Sequence, residues 1–278
     1  MSLGLGALAG PRGTCAMVAM DQRESLRAML RDRGLADDPD RVRAFKLAVA
    51  RKLAPLATGF LIDPEHVDAV APLVPRGLIL AVDELVQEPG APVRDTWLQE
   101  PRVLPPRVAA LKLLVIWRDD DRRRERVEMA RRFVALAASR GVLSVLEGVV
   151  REDREITAAA AELGASGPSL YKCQVPLQGR GEAVEIERRA REIGAVLPCP
   201  WVVLSQGVDP ADFPAAVRAA CRGGASGLLA GRAVWTAALS DADPRERLER
   251  ECRPRLRELT AIVEEHGHPV DDRALEGS

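Results

Sequence analysis

Residues 109–150 read AALKLLVIW (109–117), RERVEMARRFVALAASR (124–140) and VLSVLEGVV (142–150), with short polar connections between them. The first and third segments are rich in Val, Leu and Ile without strict alternation, which is typical of parallel strands buried on both faces. The middle segment repeats its apolar residues at helical spacing, and Gly141 ends it. We therefore predict a strand, a helix and a second strand in succession.

The same alternation extends along the whole chain. Eight apolar runs predict strands at Cys15–Met20, Thr58–Ile62, Leu78–Val82, Ala109–Trp117, Val142–Val150, Ser169–Val175, Trp201–Ser205 and Gly227–Ala230. Helical patterns lie at Asp38–Leu53, Arg124–Arg140, Arg154–Leu163, Glu182–Ile193, Pro210–Arg222 and Pro244–His266. About eight strand–helix units favour a single-domain (β/α)8 TIM barrel of the α/β class over an open doubly wound sheet. The Gly-rich turn of a dinucleotide-binding sheet is also absent, because Asp21-Gln22-Arg23 follows the first strand.

We expect the barrel to span residues 14–266. Residues 1–13 alternate Leu and Gly without the basic stretch that opens a signal peptide, and we expect a flexible N-terminal lead-in there. Residues 267–278 are expected to form a C-terminal tail. Five prolines between Glu84 and Pro106 exclude a long helix, and such a loop is typical of a lid, an interface or an insertion.

Charge and hydropathy exclude two classes of partner. The chain has 40 basic and 41 acidic residues, whereas a nucleic-acid-binding protein would carry a basic excess. No apolar stretch reaches the roughly 18 residues of a membrane span. We therefore expect a cytoplasmic protein with neither nucleic-acid nor membrane partners. The proline-rich loop and Trp97 within it predict a homo-oligomer.

Cysteine and histidine usage argues against metal chemistry. The five cysteines are scattered without a CxxC pair, and the three histidines (His66, His266 and His268) do not form a metal-binding pattern. We expect no disulfide, no zinc cage and no histidine-based triad. The sequence predicts a site that contains neither a metal nor a cofactor.

Lysine is scarce, which makes its positions informative. Lysine occurs only at 46, 52, 112 and 172, so 36 of the 40 basic residues are arginine. Arginine keeps its proton in proteins, whereas lysine can become a neutral amine. Lys172 and Lys112 both lie in apolar strands, where burial lowers the pKa of an amine. Lys172 can be a nucleophile or a core lysine paired with Glu147. Lys112 can be a second ammonium that lowers the pKa of Lys172 further, or part of a stabilising ion pair. Glu147, in the intervening strand, can be a proton shuttle or the counter-ion of either lysine.

The last two strand ends predict an anion site. Ser205-Gln206-Gly207 offers a hydroxyl and a bare backbone, and Gly231-Arg232 offers a second bare backbone and a guanidinium. Phosphate sites in barrels lie after strands seven and eight, next to a helix N-terminus. We predict that these two strand ends bind an oxyanion.

Several of these segments resemble one family. They are Met17–Arg23, Lys112–Arg118, Leu170–Lys172 with Pro176-Leu177, Val203–Val208 and Gly224–Trp235. In this order they resemble the class I aldolase family of tagatose 1,6-bisphosphate aldolase and sulfofructosephosphate aldolase, over about residues 12 to 265. Trp117-Arg118 and Leu170-Tyr171 are more similar to the sulfosugar branch.

The resemblance implies a (β/α)8 barrel and metal-free cleavage of a ketose 1-phosphate through a lysine Schiff base. The family's Schiff-base lysine matches Lys172, its strand-four lysine matches Lys112 and its strand-five glutamate matches Glu147. Its anion-binding Ser-x-Gly and Gly-Arg motifs match Ser205, Gly207, Gly231 and Arg232. The chain departs from the family pattern at Gly148, Gln174 and Gln206, where proline, glutamate and a small residue are common.

These residues lead to a mechanistic hypothesis. Lys172 attacks C2 of the sugar, Glu147 transfers protons, and Lys112 keeps Lys172 neutral. Asp21 and Gln22 hold substrate hydroxyls. Arg23 either binds a distal sulfonate or phosphate or is a surface charge on a helix.

The expected substrate is a small-molecule sugar phosphate. Similarity to the sulfosugar branch implies 6-deoxy-6-sulfofructose 1-phosphate, which would yield dihydroxyacetone phosphate and sulfolactaldehyde. One alternative is a tagatose or fructose 1,6-bisphosphate aldolase. A second, of another class, is a barrel that binds a sugar phosphate without turnover.

Overall fold

The computed structural model describes residues 3–89, 91–239 and 243–270. Eight parallel strands close into a barrel, in the order β1-β10-β9-β8-β7-β6-β3-β2. The strands are β1 (Cys15–Met20), β2 (Gly59–Ile62), β3 (Leu78–Ala81), β6 (Val108–Ile116), β7 (Leu143–Val149), β8 (Leu170–Gln174), β9 (Trp201–Leu204) and β10 (Gly227–Ala230). The predicted (β/α)8 TIM barrel is confirmed, and all eight predicted strands are present.

Helices surround the barrel. They are α1 (Glu24–Arg31), α2 (Pro39–Leu53), α3 (Val67–Val70), α4 (Arg123–Ser139), α5 (Ile156–Gly164), α6 (Ala183–Val196), α7 (Phe213–Arg222), α8 (Arg232–Trp235), α9 (Pro244–Arg247) and α10 (Arg253–His266). A π-helical segment, Leu248–Cys252, joins the last two. The main core lies between the helices and the outer faces of the strands, whereas a second apolar cluster fills the barrel interior. No helix of the described ranges is long and apolar enough to cross a membrane.

Several helix ends differ from the prediction, and two of the differences have a local cause. Helix α6 continues through Gly194 to Val196 instead of ending at Ile193. Gly194 lies against the Trp201 indole, with its missing Cβ position 3.3 Å from the ring nitrogen, so this glycine accommodates a tight packing contact within the helix. Helix α7 begins at Phe213 rather than after Asp209, because Asp209 accepts the Ala211 amide in a turn that precedes the helix.

The proline-rich segment forms a β-hairpin that the sequence did not predict. Strands β4 (Asp83–Val86) and β5 (Asp95–Leu98) pair antiparallel. The hairpin contains no long helix, as the prolines required. Residues 91–93 of its connection line the cavity at the mouth of the barrel.

The N-terminal segment packs against the barrel. Leu5 and Leu8 are fully buried in the interior cluster, and residues 5–7 form a short 3-10 helix. The Val270 amide donates a hydrogen bond to the Gly13 carbonyl at 2.7 Å. The described part of residues 1–13 therefore differs from the expected flexible lead-in, because its leucines close the amino-terminal end of the barrel. Residues 271–278 of the expected tail lie outside the described residues.

Candidate active site

A buried ammonium lies at the centre of the carboxyl-terminal mouth. The Lys112 Nζ atom, on β6, is 3.0 Å from Asp21, 3.1 Å from Asp83 and 2.8 Å from Glu147. Burial opposes its charge, but the three carboxylates outweigh that effect and raise the pKa of Lys112 well above its usual value. Lys112 is therefore a permanent cation in this site.

Glu147 bridges the two lysines that the sequence singled out. It is opposite Lys172 in the register of β7 and β8, and its Oε1 atom is 3.0 Å from the Lys172 Nζ atom. Its Oε2 atom binds Lys112. Burial favours the protonated acid, but the two ammonium groups outweigh it and lower the pKa of Glu147. Glu147 is thus an ionised carboxylate that is held by Lys112 and lies within reach of a proton on Lys172.

Lys172 is paired but accessible. Only 5% of its side chain is exposed, yet it lines the cavity at the barrel mouth, which has a volume of about 660 Å³. The two interpretations of this lysine therefore coexist: it is half of a buried ion pair, and it lies beside an opening that admits a small molecule.

Asp83 is a site residue that the sequence analysis did not select. It is the first residue of β4, and its Oδ1 atom accepts hydrogen bonds from Lys112 and from the Leu114 amide. Burial raises its pKa, although Lys112 opposes the shift. The signal was present, because Asp83 follows the third apolar run directly. Its role depended on the unpredicted hairpin, which turns the side chain into the mouth.

Asp83 also holds Arg23. The Arg23 Nη1 atom donates to the Asp83 carbonyl at 2.8 Å, and its Nη2 atom lies 3.6 Å from Asp83 Oδ2. Arg23 is partly buried and lines the cavity. The Nη1 atom is therefore occupied by the protein itself, whereas the buried Nη2 atom has no hydrogen-bond partner among the described residues.

Asp21 and Gln22 border the cavity after β1. The pKa of Asp21 is lowered, because Lys112, Lys172 and Arg23 outweigh the effect of burial. The Oε1 atom of Gln22 is buried and has no hydrogen-bond partner among the described residues. A substrate hydroxyl is the kind of donor that would satisfy it.

The predicted anion site is assembled from two neighbouring strand ends. The Ser205 hydroxyl accepts from the Ala233 amide at 3.4 Å, close to the first turn of α8. Gly207 adopts a φ of 83°, which favours glycine. A Cβ at Gly231 would lie 2.5 Å from the Ala19 carbonyl and 2.8 Å from Gln22, so only glycine fits there. Burial lowers the pKa of Arg232, whose guanidinium has no ion-pair partner among the described residues.

All ten predicted site residues line this one cavity. They are Asp21, Gln22, Arg23, Lys112, Glu147, Lys172, Ser205, Gly207, Gly231 and Arg232. The arrangement places an amine, a carboxylate and an unpaired guanidinium around a space that fits a small phosphorylated sugar.

A possible metal-binding group lies outside this cavity. Asp63, Glu65 and His66 bring potential ligand atoms together within the described ranges. However, Lys46 donates to one oxygen of Asp63, and His66 Nδ1 is 2.7 Å from the other. Both oxygens of the central carboxylate are occupied, so the residues do not form an open metal site.

Comparison with known proteins places the fold and the family. A family model described as DeoC/LacD family aldolase matches residues 15–237. An archaeal fructose-1,6-bisphosphate aldolase, whose catalytic lysine is bound to a carbinolamine intermediate, is 17% identical with a TM-score of 0.64. The alignment covers 92% of this chain and 96% of that one. A fructose-bisphosphate aldolase from Slackia heliotrinireducens DSM 20476 is 17% identical with a TM-score of 0.66, over 98% of this chain and 86% of that one. At such identity the structural likeness shows the shared fold.

Proposed function

The chain belongs to the DeoC/LacD family of aldolases, and from that premise we propose that it cleaves a ketose 1-phosphate through a Schiff base on Lys172. The observation that carries the proposal is the position of the Lys172 amine. It borders the cavity, is 3.0 Å from the Glu147 carboxylate, and shares that carboxylate with Lys112.

The first step forms the iminium. Glu147 accepts a proton from the Lys172 ammonium, and the free amine attacks C2 of the ketose to form a carbinolamine. Glu147 then returns the proton to the carbinolamine oxygen, which leaves as water. Lys112 holds Glu147 in place through the second carboxylate oxygen.

The second step breaks the carbon–carbon bond. A base removes the proton of the C4 hydroxyl, the electrons of the C3–C4 bond move into the iminium, and the aldehyde leaves. The resulting enamine of dihydroxyacetone phosphate takes a proton at C3 and is hydrolysed from the lysine. Glu147 is our choice for these proton transfers, because its carboxylate lines the cavity and its Oε1 atom lies 3.0 Å from the Lys172 amine.

The remaining residues orient the substrate. Ser205, Gly207, Gly231 and Arg232 bind the C1 phosphate through a hydroxyl, exposed backbone amides and a guanidinium. Asp21 and Gln22 hold hydroxyl groups of the sugar. Arg23 faces the distal part of the substrate, with its orientation set by Asp83.

We propose 6-deoxy-6-sulfofructose 1-phosphate as the substrate, with dihydroxyacetone phosphate and sulfolactaldehyde as products. The support is the similarity of Trp117-Arg118 and Leu170-Tyr171 to the sulfosugar branch. Initial cleavage rates on this compound, on tagatose 1,6-bisphosphate and on fructose 1,6-bisphosphate test the assignment. Faster cleavage of either bisphosphate would transfer the assignment to that sugar.

Borohydride trapping tests the chemistry. The protein is incubated with dihydroxyacetone phosphate, reduced, and examined by intact-protein mass spectrometry. We expect one adduct in the wild type, located at residue 172 by peptide mapping, and none in Lys172→Ala. Ligand-induced thermal stabilisation without an adduct would instead support a barrel that binds sugar phosphates without turnover.

A further inference from the structure

Arg151 is a guanidinium at the cavity for which the mechanism has no use. Arg151 is the second residue after the end of β7, and it lines the same cavity as Lys172. No described residue forms a hydrogen bond or an ion pair with its side chain. Arginines at the start of α4, by contrast, are engaged: Arg122 binds Asp95, Arg123 binds Glu162, and Arg126 binds Asp120.

The charges of the cavity leave Arg151 uncompensated. Five cationic side chains and three carboxylates are among its described lining residues. The carboxylates of Asp21, Asp83 and Glu147 are all within reach of Lys112. Glu147 also neutralises Lys172, and Asp83 holds Arg23. Among the described residues, Arg151 and Arg232 are therefore the two arginines at this cavity without an ion pair.

These two guanidiniums lie on well-separated sides of the mouth. Arg232 follows β10 and Arg151 follows β7, three positions apart in a ring of eight strands. Lys172 is on β8, between them. Around the mouth, the order of these groups is therefore Arg232 after β10, Ser205 after β9, Lys172 on β8 and Arg151 after β7. This is the order along a sugar with one anion beside C1, a carbonyl at C2 and a second anion at its far end.

The loop that carries Arg151 is held in place. The Gln174 amide accepts from the Val150 N–H at 2.8 Å and donates to the Val150 carbonyl at 3.1 Å. This pair of bonds needs a side chain with both a donor and an acceptor, as an amide has. A glutamate at position 174 would bring a carboxylate oxygen against the Val150 carbonyl oxygen, and neither atom could donate. On the other side, Asp153 accepts the Leu177 amide at 2.6 Å. Arg151 is thus presented by a fixed backbone.

We propose that Arg151 binds the anionic group at the end of the substrate remote from C1, and that Gln174 positions it there. The inference rests on the proposed function for the direction in which the sugar lies. The guanidinium of Arg151 suits a sulfonate or a phosphate, because it offers several N–H donors in a planar fork. The positive charge of Arg151 also acts on Arg118. Burial lowers the pKa of Arg118, and repulsion from Arg151 lowers it further.

The test uses unreactive ligands, so that it does not depend on catalysis. Calorimetry measures the binding of a hexitol 1,6-bisphosphate and a hexitol 1-phosphate, which carry no carbonyl. In Arg151→Gln, we expect the Kd of the bisphosphate to rise by about tenfold or more and that of the monophosphate to change by less than about twofold. Arg154→Gln is the matched control, because Arg154 is an exposed arginine of the same loop that does not line the cavity.

A double-variant cycle tests the positioning role. Gln174→Met should weaken binding of the bisphosphate selectively, and adding it to Arg151→Gln should cause little further loss. A merely structural role of Gln174 would weaken both ligands and would add to the effect of Arg151→Gln.

The two proposals fail in different ways. If Arg151→Gln binds the bisphosphate as Arg154→Gln does, the role of Arg151 is refuted, whatever borohydride trapping shows. If Arg151→Gln selectively loses the bisphosphate but the wild type forms no adduct with dihydroxyacetone phosphate, the distal anion site stands and the Schiff-base function is wrong. Equal loss of both ligands would place Arg151 at the C1 anion and overturn the inference.

Discussion

Lys112→Met removes the ammonium that three carboxylates share. Methionine keeps much of the length and volume of the side chain, so the change removes charge with little loss of packing. The groups left behind are Asp21, Asp83 and Glu147, whose oxygens lie 3.0, 3.1 and 2.8 Å from the Lys112 nitrogen. Lys172 is then the nearest remaining cation for Glu147.

The stability cost follows from this geometry. Breaking a buried ion pair by removing one partner costs about 3–5 kcal/mol, because an uncompensated charge stays behind. Lys112 is 1% exposed, and each carboxylate is largely buried. We expect the free energy of unfolding in urea to fall by about that amount, and the melting temperature to fall by on the order of 10 °C.

The chemical effect is separable from the stability cost. Without Lys112, the Oε2 atom of Glu147 loses the ammonium that holds it in place, so the carboxylate is less well oriented to accept a proton from Lys172. We expect the rate of borohydride trapping at pH 7 to fall by about a hundredfold or more.

Lys46→Met is the matched control. Lys46 is also a fully buried lysine paired with a carboxylate, that of Asp63, but it does not line the cavity. Lys46→Met should lose stability to a similar extent and should be trapped at the wild-type rate. The reasoning is refuted if Lys112→Met unfolds like the wild type, or if both variants lose trapping equally.

Three further predictions concern individual site residues. Gly148→Ala should cost about 1–3 kcal/mol of unfolding free energy, because the new Cβ would lie 2.0 Å from the Tyr171 hydroxyl oxygen. Adding Tyr171→Phe removes that oxygen and should restore part of the stability. If the double variant is no more stable than Gly148→Ala, the clash lies elsewhere. Glu147 has a lowered pKa in the folded state, so its stabilisation is present above its ordinary pKa of about 4.3 and is lost as the pH falls through the lower folded value. The difference in urea midpoint between the wild type and Glu147→Gln should therefore shrink below about pH 4, and a constant difference would contradict this. Arg232→Gln should raise the concentration of dihydroxyacetone phosphate needed for trapping by about tenfold or more and leave trapping by unphosphorylated dihydroxyacetone unchanged, whereas an equal effect on both would remove Arg232 from the phosphate site.

The barrel, and the grouping of Lys112, Glu147 and Lys172 at its mouth, were predictable from local patterns. Buried parallel strands appear in the sequence as short apolar runs. Because the carboxyl ends of the strands meet at one mouth of the barrel, polar residues at those ends in neighbouring strands are expected to lie close together. This is why Lys112, Glu147 and Lys172 could be grouped before any distance was known. The rarity of lysine in an arginine-rich chain added a second, independent signal.

The remaining features depend on tertiary contacts. Asp83 acts through a hairpin whose two four-residue strands lie too far apart in sequence for a hairpin signal. Arg151 stands in the charged segment Arg151-Glu152-Asp153-Arg154, and the sequence does not say which of these side chains faces the cavity. Leu5 and Leu8 are separated by small residues, so their burial depends on the open end of the barrel that they fill.

The distribution of lysine makes the protein a convenient host for chemical labelling. Lys46 is fully buried and Lys112 is held by three carboxylates. Lys52, half-buried on α2 beside Glu249, is the one lysine outside the mouth that an amine reagent can readily reach. Exchanging Lys52 for arginine would leave Lys172 as the sole reachable lysine side chain. A fluorophore or a solid support bearing a small carbonyl could then be attached to a single chosen position of an otherwise unmodified chain.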